Sequence, residues 1–296
     1  MQRVPAYPLV YEFTRHLEPR ARIQPGERLL VESEDALSGQ LRKPGDKRDK
    51  TKQPYSNPVA GPIWVEGAEP GDVLAVDIHA ITPTIGQCST YSGPAKALSE
   101  WLGTEGPHNA HVMPIKDGQI HWSETLTIPY QPMLGCIGTA PDWGVPTTAP
   151  CGPHGGNMDI LEAGPGSTVY LPVFIQGGYL YLGDAHAAQG HGELSIVGLE
   201  MPAESDITVR LIKQKKLTSP RIETADELIA ISTGMSMERC YAHATSLLIL
   251  WLEEEYGWNR WRAFDLITHA GYMTLGYYGL GTVGMKIAKK YATNPC

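Results

Sequence analysis

Paired thiols are the first thing the chain lacks. Its 296 residues include five cysteines, at 88, 136, 151, 240 and 296. The number is odd and no Cys-x-x-Cys pair occurs, which argues against a disulfide framework and against a thiolate zinc site. Long apolar runs are missing too: the longest dense one, residues 247–252, is far short of the roughly 20 helical residues that cross a bilayer. Positive charge is scarce. With 24 Lys and Arg against 32 Asp and Glu, the formal net charge of -8 offers no basic field to a nucleic acid. The opening Met1-Gln2-Arg3-Val4-Pro5 has no apolar signal core. The expectations are a cytoplasmic chain with reduced core or loop thiols, and neither nucleic acid nor membrane as partner.

Turn-forming residues, by contrast, are abundant. Most of the 24 prolines and 32 glycines fall before residue 215, between short runs such as Arg28-Leu29-Leu30-Val31-Glu32, Val73-Leu74-Ala75-Val76-Asp77-Ile78 and Ile207-Thr208-Val209-Arg210-Leu211-Ile212. Short β-branched runs separated by turns predict antiparallel sheets. The fold class is α+β, predominantly β: an antiparallel β-sandwich or barrel body over 1–215, with one short helix over 95–102, and a helical C-terminal portion over 216–296 packed on it. In that portion Ser236 caps a long helix over 236–256 with Gly257 at its end, and Asn259 caps a second over 259–270, stopped by Gly271. The first is apolar on nearly every face in its middle, so it is core or interface; a homo-oligomer is the expectation it leaves. Gly279-Leu280-Gly281-Thr282-Val283-Gly284 formally matches the dinucleotide fingerprint, but too few residues follow it for the second strand and acidic residue of such a unit. It reads instead as a loop before a last basic helix.

Two stretches gather chemistry. In Gly183-Asp184-Ala185-His186-Ala187-Ala188-Gln189-Gly190-His191-Gly192-Glu193, the preceding Tyr179-Leu180-Tyr181-Leu182 reads as a strand entering a core. If that strand continues through His186, Asp184 and His186 share a face, because side chains alternate with period two. Together they can offer a carboxylate oxygen and an imidazole nitrogen to one metal ion. The second stretch, Cys151-Gly152-Pro153-His154-Gly155-Gly156-Asn157-Met158-Asp159, is a rigid loop with several polar side chains. Elsewhere the ionisable residues read as structural. His16, His108, His121 and His243 have no other ligands near them in sequence. The charged segment 42–52 reads as a solvated loop, with a mobile lid as the sharper alternative. Glu66 is a sheet-edge charge unless it faces the site.

Taken together, Asp35-Ala36-Leu37-Ser38-Gly39-Gln40, residues 61–72, His154-Gly155-Gly156-Asn157-Met158-Asp159 and residues 183–193 resemble the acetamidase/formamidase family. The resemblance implies a β-sandwich-containing fold and hydrolysis of a short linear amide, formamide-like or acetamide-like, to a carboxylate and ammonia. It also implies metal dependence in at least some members. One departure stands out: where the family pattern predicts Gln-Gly-Asp-Gly-Glu, this chain has His191 in place of the carboxylate.

Amide hydrolysis needs a nucleophile, support for the developing oxyanion and a proton donor for the leaving nitrogen. A divalent ion on Asp159, Asp184 and His186 would serve the first two needs, with Asp35 as a further carboxylate, a ligand or one that supports the ligands. An N/O ligand set without cysteine suits zinc first, and manganese, magnesium or calcium if carboxylates dominate. Glu193 is then the base, His154 a further ligand or the acid, and Asn157 and Gln189 orient the substrate amide. Two alternatives stay open at this point: a Cys151 thiolate activated by His154, and a binding module in which the metal only braces loops.

Overall fold

The computed structural model describes residues 1–92, 96–104 and 109–293; Ala95, His108 and Cys296 lie outside them. A nine-stranded sheet runs in the spatial order Gln2–Val4, Arg28–Ser33, Ala203–Ile212, Val73–Pro83, Thr168–Pro172, Arg221–Glu223, Glu227–Ser232, Val283–Ala288, Tyr272–Leu275. A six-stranded sheet runs Cys151–Gly152, Gly155–Asn157, Met133–Thr139, Leu180–His186, Val59–Val65, Ala21–Ile23, and a four-stranded one Gln87–Ser92, Asn109–Lys116, Gln119–His121, Thr127–Pro129. Pairing is antiparallel except where Gln2–Val4 meets Arg28–Ser33 and where Ala21–Ile23 meets Val59–Val65. The two large sheets are open, with end strands of only two to four residues. They form a sandwich rather than a closed barrel, with Val31, Val76, Val169 and Ile207 of one sheet and Ile63, Ile137 and Leu182 of the other in a shared core.

Burial explains the long strands. In Arg28–Ser33, Leu29 and Val31 point inward between more exposed neighbours, the period of a sheet with one face to the core. Leu180–His186 is buried along its whole length. Leu180 and Leu182 face the shared core, while Tyr181 packs with Phe13, Val59 and Cys136 on the other side. A strand covered on both faces carries whatever lies at its end into the interior.

Beyond residue 216 the chain is less purely helical than its pattern predicts. Helices Met237–Tyr256 and Arg260–Ala270 form as the caps require: Ser236 accepts from the Arg239 N–H, Asn259 from those of Trp261 and Arg262, and Gly257 sits at φ 69. Before and after them, however, four strands, Arg221–Glu223, Glu227–Ser232, Tyr272–Leu275 and Val283–Ala288, extend the nine-stranded sheet. In Glu227–Ser232, Ile229 and Ile231 enter the sandwich core, whereas Leu228 and Ala230 face the helices. The last basic helix is not formed. Val283–Ala288 is a strand, its apolar residues spaced by two, and only a short 3-10 turn, Lys289–Tyr291, follows. The glycine-rich loop therefore leads into a strand, so the dinucleotide geometry is not met. Among the described residues no helix is long and apolar enough to cross a membrane, and Cys88, Cys136, Cys151 and Cys240 are free thiols.

The helical layer is held by its buried stripe, Cys240, Ala244, Leu248 and Leu252. Leu248→Ala is expected to lower unfolding free energy by about 3 kcal/mol, measured by urea denaturation. A loss under about 1 kcal/mol would mean that the layer repacks around the gap.

Candidate active site

The strand Leu180–His186 ends at the site. Asp184 and His186 come together as the alternation predicts, His186 Nε2 lying 3.5 Å from Asp184 Oδ1. The loop after Gly155–Asn157 brings Asp159 to the same place, fixed by Met158 and Asp159 N–H groups that both donate to the Gly135 carbonyl. The glycine-rich turn beyond the strand delivers Glu193. A fourth carboxylate, Glu200, escaped the sequence reading: its Oε1 lies 3.2 Å from His186 Nε2 and accepts from the Gly198 N–H. Its signal was a lone acid in the otherwise apolar Ile196-Val197-Gly198-Leu199-Glu200-Met201. Asp159, His186 and Glu193 place ligand atoms within 4.8 Å of one another, and so do Asp184, His186 and Glu200.

Two missing side chains make this approach possible. A Cβ at Gly135 would lie 2.6 Å from both Asp159 Oδ1 and Asp184 Oδ2, and one at Gly198 would lie 2.5 Å from His186 Nδ1. The backbone is also bent to the task. Asp159, Asp184 and Glu193 sit at φ 52, 56 and 45, a left-handed region that side-chain-bearing residues seldom occupy and that concentrates at functional sites.

The electrostatics are severe. All four carboxylates and the imidazole are buried, and among the described residues no Lys or Arg bonds any of them. Burial, with the neighbouring acids, pushes Asp159 well above the usual carboxylate range. Burial chiefly pushes Glu193 up to about 8 and Glu200 to about 7, against the pull of His186. His186 is itself held well above its ordinary value: burial works against its charge, but Glu200 and Asp184 outweigh it. Both oxygens of Asp159, Oδ1 of Asp184, Oε2 of Glu200 and Nε2 of His186 have no hydrogen-bond partner among the described residues. Five buried polar atoms without partners are costly unless a cation or protons occupy the space they face.

Gln189 stands behind this cluster. Its Nε2 donates to the Asp159 carbonyl at 2.8 Å, so its Oε1, 2.7 Å from His186 Nδ1, accepts from that nitrogen. The bond leaves Nε2 turned toward the carboxylates, the arrangement that orients metal-binding histidines. Gln189 thus fixes the imidazole, where the sequence reading had it orienting the substrate.

The other sequence candidates make no hydrogen bond to this cluster among the described residues. Asp35 is fully buried, but one oxygen accepts from the Leu37 and Gly39 N–H groups and the other from Arg42. The Oδ1 of Asn157 accepts from Cys136 Sγ and Asn57 Nδ2. His154 packs edge-on against Phe13 and Trp143, and burial depresses it to about 4, so it is neutral near pH 7. Neither ring nitrogen of His154 has a partner among the described residues, and Cys151 bonds Thr233 and Thr282 instead. Burial raises the Cys151 thiol to about 11, so the geometry gives no activated thiolate. His16 and His121 are exposed, and His243 bonds Ser232. His191 reaches outward, its Nδ1 accepting from Thr274 and the Leu275 N–H. The 42–52 segment is tied down, with Asp46 accepting from the Arg42 and Lys43 N–H groups and Arg48 donating to Ser56. Glu66 lies half exposed at the sheet edge beside Arg22.

Because Gly135 faces two carboxylates at once, Gly135→Ala is expected to destabilise the fold by about 1–3 kcal/mol. Gly190→Ala, which meets no atom within 4 Å, serves as control, and urea denaturation of both compares them. Equal stabilities would show that the two acids have room to retreat.

The chain is similar to known proteins along most of its length. A model of the Acetamidase/Formamidase family matches residues 11–149 and 143–271. The crystal structure of an acetamidase from Yersinia enterocolitica superposes with a TM-score of 0.91 at 31% identity, covering 99% of this chain and 93% of that one. A formamidase of Methylophilus methylotrophus is 29% identical over 65% of this chain and 61% of its own length, and an acetamidase of Mycolicibacterium smegmatis is 29% identical over 65% and 63%. The chain thus spans about three fifths of the length of these curated relatives. Matched by the family model over most of its length and by a solved acetamidase over nearly all of it, the chain belongs to the acetamidase/formamidase family.

Proposed function

We propose that the chain hydrolyses the C–N bond of a short linear carboxamide, giving a carboxylate and ammonia, and that the reaction depends on a divalent cation. What supports the reading is the set of five partnerless buried atoms on Asp159, Asp184, His186 and Glu200. Their donor types, carboxylate oxygens and one imidazole nitrogen, fit zinc first, and manganese, magnesium or calcium if the carboxylates dominate. Asp159, Asp184 and His186 would hold the ion, with Glu200 beside them. When bound, it would polarise the amide carbonyl and acidify a water.

The chain's own residues supply the rest. Glu193, raised toward neutrality by burial, is the proton carrier: it takes the proton of the attacking water and returns it to the departing nitrogen. Gln189 keeps His186 in one tautomer through both steps. Free thiols and an acidic charge balance are consistent with a cytoplasmic setting. The exposed Trp261 and Phe264 on the helix Arg260–Ala270 give a homo-oligomer a surface to bury.

Two outcomes are expected. Glu193→Gln should lower kcat for acetamide by at least about a hundredfold while the bound metal, measured by elemental analysis, stays at the level of the unaltered protein; unchanged turnover would remove Glu193 from the mechanism. The second concerns pH. Cation binding must displace the proton that Glu200 holds up to about 7, so affinity should strengthen as pH rises through that value. The cation-free fold runs the opposite way. Carboxyl groups raised above their unfolded value of about 4.3 stabilise the fold below that value, and the contribution is lost as pH climbs through 7 and 8. Calorimetric melting of stripped protein should therefore show a falling Tm across this range, and a rising one would contradict the cluster's electrostatics.

A further inference from the structure

Glu193 is the one carboxylate of the cluster that opens onto a cleft of about 490 Å³. The cleft wall also includes Gly198, whose lack of a side chain lets the wall pack directly against the imidazole of the buried His186. The rest is mostly hydrocarbon: Trp122, Ile128, Leu194, Val197 and Leu199. Trp122 and Leu194 are 48% and 52% exposed, large apolar surfaces left in water beside a reactive site. Among the described residues no Lys, Arg or Asp lines the space, and its ionisable groups are Glu193 and His191. A charged substituent would find no Lys, Arg or Asp to pair with there among the described residues.

Formamide has three heavy atoms. At the roughly 30 Å³ that a water takes up in the liquid, three such atoms fill about a fifth of this cleft. Spaces of this size and lining suit ligands with an apolar body and a few polar contacts. We propose that the preferred substrate is a primary carboxamide whose acyl group is a neutral hydrocarbon of several carbons, seated against Trp122, Leu194 and Leu199 with its carboxamide at Glu193. The inference rests on the amide-hydrolase reading, which makes the nitrogen side a bare NH₂ and leaves the apolar group on the acyl side.

The test is a series of kcat/KM values for formamide, acetamide, butyramide, hexanamide and benzamide on the metal-loaded protein, with ammonia release as readout. Each methylene buried in the transition state is worth about fourfold, so hexanamide should exceed acetamide by tenfold or more. In Leu194→Asp and Trp122→Ala the hexanamide-to-acetamide ratio should collapse toward one. A native ratio near one, or formamide as the best substrate, overturns this inference and leaves the hydrolase reading standing. A high ratio that both variants keep overturns the assignment to this cleft. Turnover of none of the five overturns the hydrolase reading, and this inference with it.

Discussion

Mutual repulsion among Asp159, Asp184, Glu193 and Glu200 is the constraint on which the rest of the structure depends. Two unit charges 4 Å apart repel by about 4 kcal/mol even at an effective dielectric of 20. Here four acids gather around a single imidazole, with no Lys or Arg bonded to them among the described residues. Such a cluster is costly unless a cation or shared protons occupy the space between the acids. The local oddities serve it: the bare backbone at Gly135 and Gly198, the left-handed φ of three acids, and the Gln189 bridge from His186 to the Asp159 carbonyl.

The sandwich supplies the rigidity this requires. A strand buried on both faces ends in Asp184 and His186, and its neighbour Met133–Thr139 anchors the Asp159 loop through one carbonyl. His186 also bridges to Glu200, tying a third segment to the strand end. Each acid thus hangs from a different piece of backbone, and the pieces are locked together by sheet hydrogen bonds and not by the acids themselves.

Much of this was legible in the sequence, for physical reasons that differ by element. Asp184 and His186 were readable because a strand's period of two needs only local information. The helix after Ser236 was readable because caps are local as well. Glu200 was not, since it reaches His186 only through a pairing between segments fourteen residues apart, and Gly135 and Gly198 matter only for atoms that approach from elsewhere. The same limit applies to Asp35 and Gln189. Their residue types suit a site, but whether Asp35 faces a metal or Arg42, and Gln189 a substrate or an imidazole, is decided by tertiary contact. The strands after residue 216 were masked by neighbouring helices whose caps gave a stronger local signal.

The most direct test of the central claim is ammonia release from acetamide by protein stripped with a chelator, measured before and after zinc is restored. The account predicts activity that disappears on stripping and returns with the ion. Activity that survives complete removal of metal would contradict it, and would leave the four buried acids to be explained by shared protons alone.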